Sequence, residues 1–486
     1  MTPTTWTAGH LPPAFAEGAR WHTLAFPGVE LRVPVLDAGQ MKALARHVRQ
    51  SARAVLQPMR VSEIIGIVDR AVARLLDAKD EWRRQADALL PSVSGYDAEM
   101  VRLALTAYLQ AFRAPQLHRF VAEDFANPKV LDEFQPAVKG GAVRAMGPGL
   151  LVHSWAGNVP GLPLWSLVCG LLVKAGNIGK LPSAEPVFAS LFAQLLVEVH
   201  PPLADCLAVV WWKGGEAEPA ATLYAQADTV LAYGSNAAIE QVRAQVPVTT
   251  RFLPYGHKLG LAMVGRCALD SLRGPATARR AAHDVARYEQ QGCYSPHVLY
   301  VERGGRVSPR EFAQHLAAEL ANLQRRYPRR ALALEEAAAV AGWRQSAELR
   351  ALADAGAELI GDEHAAWAVA FSERLLPLSP SAGQRCIQVV AVDTLDDAVD
   401  VIAPHAAFLQ TVGVAVAAPR LYALSEQLAV AGVTRICALG AMTAPEAGWH
   451  HDGRFNLLDL VRMVEIEQSA ERAADRLAAY GQEEGV

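Results

Sequence analysis

The stretch Tyr288–Val301, YEQQGCYSPHVLYV, holds a single cysteine, Cys293. A helical pattern runs down to Gln290-Gln291-Gly292, and Ser295-Pro296 leads into an apolar alternation that reads as a strand. A thiol displayed on a tight helix-to-strand connection is placed to act as a nucleophile; a free cysteine within an apolar run packs as a small hydrophobe. Three other features could serve a reaction. Ala156-Gly157-Asn158-Val159-Pro160-Gly161 is a strand-end turn carrying an amide side chain. Lys180-Leu181-Pro182-Ser183 sets a cation at the end of an apolar strand. Leu231-Ala232-Tyr233-Gly234-Ser235-Asn236 is a strand turning through Gly-Ser into a helix, whose exposed backbone N–H groups suit a phosphate.

Two histidines, His257 and His297, are candidates for handling protons. His450-His451-Asp452 reads as a structural or substrate-gating loop, because adjacent side chains rarely converge on one metal ion without a distant ligand. The six cysteines show no CxxC spacing, so neither a zinc site nor a disulfide framework is expected, and a reducing compartment fits. Common nucleotide signatures fail. There is no GxGxxG, and around Gly179-Lys180 a P-loop would need glycine where Lys174 stands and Ser or Thr where Leu181 stands.

These residues need a scaffold, and the chain of 486 residues is long enough for two or three domains. A net charge of −4 gives no basic field for nucleic acid. The N-terminus lacks a signal-peptide pattern, and the apolar segment 159–173 is too short and too interrupted to span a membrane, so a cytoplasmic protein is expected. Residues 1–40 read as an arm or small strand pair. From 41, apolar residues recur at three- and four-residue intervals (Ile64, Ile65, Val68, Val72, Leu75), which predicts a helical layer. After Gly140, strands at 150–155, 207–212, 229–233, 259–264, 297–302, 387–392 and 412–417 alternate with helices. That alternation predicts an α/β protein with two doubly wound parallel sheets. The expected division is a nucleotide-binding domain with its helical layer at 41–260, a catalytic domain at 261–435, and a C-terminal segment, 436–486. The last would return to the nucleotide domain or form an oligomer interface.

The order and spacing of these features over roughly residues 140–440 resemble the aldehyde dehydrogenase superfamily, and within it the LuxC-type long-chain acyl-CoA reductases. The likeness lies in HSWAGNVPGLPLWSLVCGLLVKAGNIGK, in Pro254–Lys258, in QQGCYSP, and in the segment from Arg435 to Glu465. The resemblance implies that Cys293 is the nucleophile and that Asn158 forms an oxyanion hole with the Cys293 backbone N–H. It implies that Lys180 and Ser183 hold the adenosine ribose, and Gly234 with Ser235 the pyrophosphate. Oxidising aldehyde dehydrogenases carry Glu-Leu-Gly-Gly-Lys where this chain has Pro254-Tyr255-Gly256-His257-Lys258, and their glutamate activates water. Proline cannot, so a thioacyl enzyme would be reduced instead of hydrolysed.

The activity so implied is NAD(P)H-dependent reduction of a fatty acyl thioester, acyl-CoA or acyl-carrier, to the aldehyde. The alternatives are a CoA-acylating aldehyde dehydrogenase on shorter aldehydes and a non-redox acyl-transfer partner. No acidic residue directly follows Ser183, which leaves room for a 2′-phosphate and favours NADPH over NADH. No metal is expected, and the resemblance implies a homo-oligomer.

Overall fold

A computed structural model of the chain describes residues 3–215 and 217–477. Three strands, β1 (Thr4–Thr7), β2 (Arg20–Phe26) and β3 (Val29–Val35), form a small N-terminal sheet with β3 in the middle. Five helices follow, Ala38–Val55, Val61–Leu76, Glu81–Ser94, Ala98–Gln110 and Ala114–Asp124. The predicted stripe is buried: Met41, Leu44 and Val48 on the first, Ile64, Ile65, Val68, Val72 and Leu75 on the second. Asp37, Asp80 and Asp97 cap three of these helices by accepting a backbone N–H in the first turn.

After the short strand β4 (Gln135–Pro136), β5 (Ala142–Met146) opens the α/β part. Next come β6 (Leu150–Ser154), β7 (Gly176–Lys180), β8 (Leu207–Val210), β9 (Thr229–Tyr233) and β10 (Arg251–Tyr255). The last five form an all-parallel sheet in the order β10-β9-β6-β7-β8. β6, β8 and β9 are buried at every position, as a parallel sheet covered on both faces requires.

The chain then crosses to a second sheet: β11 (Leu259–Val264), β12 (Pro296–Glu302), β13 (Ala357–Ile360), β14 (Ala368–Ser372), β15 (Cys386–Val392), β16 (Leu409–Ala415) and β17 (Arg435–Ala438). Its order is β13-β14-β15-β12-β11-β16-β17, with β13 alone antiparallel to its neighbour. Finally β18 (Arg462–Ile466) returns to pair antiparallel with β5.

Several elements differ from the sequence expectation. β10 holds Pro254, which lacks the ladder N–H, and it survives as an edge strand paired with β9 alone. β13, β14 and β17 are short, and β14 is partly alanine, so their strand signal is low. The helix before Cys293 stops at Ala286, not at Gln290.

Candidate active site

The loop after β6 in the five-stranded parallel sheet touches the segment before β12 in the mixed seven-stranded sheet. Carboxyl ends of β6, β7, β9 and β10 open into a crevice, the usual ligand position in such sheets. The segments leading into β12 and β16 close its other side. Two contacts span it: Asn158 Nδ2 donates to the Gln291 carbonyl at 2.6 Å, and the His451 ring stacks on Tyr255 at 4.6 Å between centroids.

Cys293 is delivered by a strained turn. Tyr288, Glu289 and Gln290 all take left-handed backbone, with φ of 52°, 53° and 60°. Side chains other than glycine resist this region by about 1–2 kcal/mol each, so the turn must be held from outside. Glu289 forms a fully buried ion pair with Arg385, accepting from Nε at 2.8 Å and from Nη2 at 3.0 Å. Gln384 and Arg385 are themselves left-handed, and Gln384 N–H donates to the Glu289 carbonyl at 2.9 Å. Gln290 Nε2 ties the turn to the sheet by donating to the carbonyls of Pro296 (2.8 Å) and Cys386 (3.1 Å). The one hydroxyl hydrogen of Tyr96 is shared between the carbonyls of Asn158 (2.9 Å) and Tyr288 (3.3 Å), tying the turn to the facing loop. Gly292 must be glycine, because a Cβ there would lie 2.4 Å from the Tyr294 ring.

Around the sulfur stand three groups to which the sequence reading gave no catalytic role. Gln410, the second residue of β16, donates through Nε2 to Cys293 Sγ at 3.3 Å. His451 Nε2 lies 4.0 Å from Sγ. Asp452 Oδ1 accepts from Gln410 Nε2 at 2.5 Å and is 3.9 Å from His451 Nε2. So His451 and Asp452, read from sequence as a structural or gating loop, converge on the thiol. His450 packs edge-on against Phe455 instead. The hint available was the segment from Arg435 to Glu465 carrying the family likeness; nothing in the sequence marks Gln410.

Burial pushes the Cys293 thiol up to about 11, and the Asp452 charge adds to the rise, opposed by the Gln410 hydrogen bond. The resting sulfur is therefore protonated. Burial lowers the His451 pKa, and Asp452 partly offsets this, so the imidazole is neutral at neutral pH and can take a proton. Among the described residues the Cys293 N–H has no backbone acceptor. Asn158 has two amide hydrogens, one of them committed to Gln291.

The other two histidines lie elsewhere. His297 Nδ1 accepts from the Ser381 backbone N–H (3.2 Å) and meets its Oγ (3.0 Å); burial lowers its pKa to about 4. His257 donates its backbone N–H to Asn236 Oδ1 at 3.1 Å.

Of the residues expected to hold a nucleotide, Lys180 ends β7 with Nζ 5.7 Å from the Trp212 ring centroid, and burial lowers its pKa. Ser183 Oγ accepts from Trp211 Nε1 at 3.2 Å. Gly234 follows β9, and Ser235 caps the helix Asn236–Arg243 by accepting the Ala238 N–H. A cation, a hydroxyl and a capped helix start at the carboxyl edge of one sheet form a donor set that fits a dinucleotide. Glu185 was not singled out from sequence. Its Oε1 accepts the Val187 and Phe188 N–H groups, its Oε2 is buried without a partner, and burial raises its pKa to about 8.

Beside Cys293 lies a narrow apolar cleft of about 40 Å³, walled by Tyr108, Val159, Leu162, Trp165, Tyr233 and Tyr294. A thiol, a proton acceptor, amide donors and an adjacent apolar cleft suit acyl-thiol chemistry.

Comparison with known proteins agrees. Residues 56–463 match the family model described as acyl-CoA reductase (LuxC). The chain belongs to the LuxC family. A long-chain acyl-protein thioester reductase of Photorhabdus luminescens is 26% identical over 463 residues, covering 94% of this chain and 91% of the relative. One of the same description from Vibrio harveyi is 25% identical, covering 85% of this chain and 84% of the relative. Among solved structures, aldehyde dehydrogenase 21 from Physcomitrella patens, in complex with succinate, superposes with a TM-score of 0.73 at 13% identity, over 96% of this chain and 98% of that one. A methylmalonate-semialdehyde dehydrogenase from Oceanimonas doudoroffii gives 0.70 at 15% identity, over 96% and 98%. This LuxC-family chain therefore has the aldehyde dehydrogenase fold, and it is an oxidoreductase of acyl groups. Among the described residues no helix is long and apolar enough to cross a membrane.

Proposed function

We propose that the chain reduces a long-chain fatty acyl thioester to the aldehyde through a thioester on Cys293, with NADPH as hydride donor. The observation that carries this reading is the placement of Cys293 Sγ between Gln410 Nε2 (3.3 Å) and His451 Nε2 (4.0 Å) on a rigidly held turn facing Asn158.

The chemistry follows from the positions. His451 takes the thiol proton as sulfur attacks the acyl carbonyl. The resulting oxyanion accepts hydrogen bonds from Asn158 Nδ2 and the Cys293 N–H, each donor contributing about 3–4 kcal/mol in comparable sites. The C–S bond to the leaving thiol breaks, and the thiol departs with the proton from His451. One thioester has replaced another, so the step is nearly balanced in energy. Reduced nicotinamide, when bound in the crevice, supplies hydride. The thiohemiacetal C–S bond then breaks, releasing the aldehyde and the Cys293 thiolate, and a proton taken up from solvent and passed by His451 restores the thiol. Pro254 offers no carboxylate where oxidising relatives have their water-activating glutamate, which favours reduction over hydrolysis. NADPH is favoured because Lys180 makes no ion pair among the described residues, and Glu185 turns Oε1 to the N–H groups of its own helix.

Hydrolysis is the second reading, favoured by Asp452 near the thiol. Its Oδ1, however, is engaged by Gln410. Mixing protein, NADPH and acyl-CoAs of increasing length, with products extracted, separates the two. Aldehyde formed with loss of the reduced-cofactor absorbance supports the proposal; free fatty acid without cofactor oxidation at every length refutes it.

A further inference from the structure

A second, larger cavity of about 970 Å³ lies at the opposite, amino-terminal edge of the five-stranded sheet. Gly149, Thr229 and Arg251 line it where β6, β9 and β10 begin, far along the strands from the carboxyl edge that carries the reaction. Its remaining walls are the end of the helix Ala38–Val55 and the paired strands β5 and β18.

The lining carries six cations, Arg49, Arg53, Arg144, Lys174, Arg251 and Arg462, against one acid, Asp228. Two of the cations are neutralised: Arg49 pairs with Asp228 at 2.6 Å and Lys174 with Asp132 at 2.7 Å. Asp228 is also taken by the Leu150 N–H at 2.9 Å. Arg251 donates to the backbone carbonyls of Asp459 and Val461 and has no carboxylate partner among the described residues. Arg53, Arg144 and Arg462 make no ion pair among the described residues either. Arg144 is the telling one, since its Nε is buried with no hydrogen-bond partner among the described residues. Leaving that N–H unpaired is unfavourable, and a ligand oxygen that reached it would supply the missing hydrogen bond.

We propose that this cavity binds a polyphosphate anion of nucleotide size, at a site separate from the catalytic crevice. Four guanidinium groups without carboxylate partners among the described residues line one cavity, the side-chain type that pairs best with phosphate oxygens. The volume is at the upper end of small-molecule pockets, about 300–1,000 Å³, and Ala52, Met146, Pro148 and Leu460 supply apolar wall for a base or sugar. The carboxyl end of the helix Ala38–Val55 opposes an anion, but less strongly than a single charge-assisted guanidinium hydrogen bond favours it. A net charge of −4 on the whole chain means the attraction is local, which favours a small ligand over nucleic acid.

The test is calorimetric titration of the full chain with inorganic tripolyphosphate. One site per chain is expected, with its Kd raised at least tenfold by Arg144→Ala combined with Arg462→Ala and unchanged by Lys180→Ala in the catalytic crevice. ADP should displace the tripolyphosphate. If the Arg144 variant fails to fold, Arg53→Ala with Arg462→Ala, both on exposed side chains, must weaken binding in the same way. Absence of binding, binding insensitive to these arginines, or loss of binding in Lys180→Ala would overturn the proposal. So would failure of ADP to compete.

Discussion

Replacing His451 by glutamine removes the proton acceptor 4.0 Å from Cys293 Sγ while keeping a side chain of similar size against Tyr255. With the thiol held near 11, its thiolate fraction at pH 7 is on the order of 10⁻⁴. Attack in the variant must draw on that fraction, so acylation should slow by about 10²–10⁴-fold, the usual range for a lost general base. The pH profile is the sharper signature. His451 titrates below its ordinary value, so wild-type acylation is flat above neutral pH. The variant should gain about tenfold per pH unit from 7 towards 10, closing the gap. Rapid quench with acyl-CoA in the absence of cofactor, followed by intact mass, reads the acylation rate directly. A variant with the wild-type rate and a flat profile would refute the role given to His451.

Three more outcomes follow from the same geometry. Asp452→Asn removes the negative charge that helps raise the thiol pKa, so the midpoint of Cys293 alkylation by iodoacetamide should move below about 11; an upward move would contradict the assigned cause. Glu289→Gln strands the fully buried Arg385 and should cost about 3–5 kcal/mol in denaturant unfolding; combining it with Arg385→Met should restore part of that, and a loss below 1 kcal/mol would show that the pair does not hold the turn. Glu185 holds its proton to about pH 8 when folded but only to about 4.5 when unfolded, so folding takes up a proton between these values and wild-type stability falls as pH rises through that window. Glu185→Gln should therefore gain in melting temperature over wild type progressively from pH 5 to pH 8, and a constant difference would count against the buried carboxyl.

Much of the frame was legible because it depends on periodicity. Buried parallel strands such as β9 and β11 are nearly continuous apolar runs, and the helix Val61–Leu76 shows its core stripe every third or fourth residue. Cys293 and the Asn158 turn stood out by position between such elements. The groups that tune the thiol did not, because they come from far along the chain: His451 is 158 residues away and Gln410 is 117. Sequence pattern encodes local geometry, and that convergence exists only after two sheets have met. The left-handed run Tyr288–Gln290 was hidden for another reason. None of those residue types favours positive φ, so a helical pattern seemed to continue where the Glu289–Arg385 pair in fact forces a turn. Pro254 concealed β10 in the same way, by its poor strand propensity at a tolerated edge.

The claim everything else depends on is that Cys293 carries the acyl group. Intact mass of the full chain after exposure to a long-chain acyl-CoA, with no cofactor present, tests it directly. One acyl increment should appear in the wild type and be absent from Cys293→Ala. An increment that survives the substitution, or none in the wild type, would contradict the account.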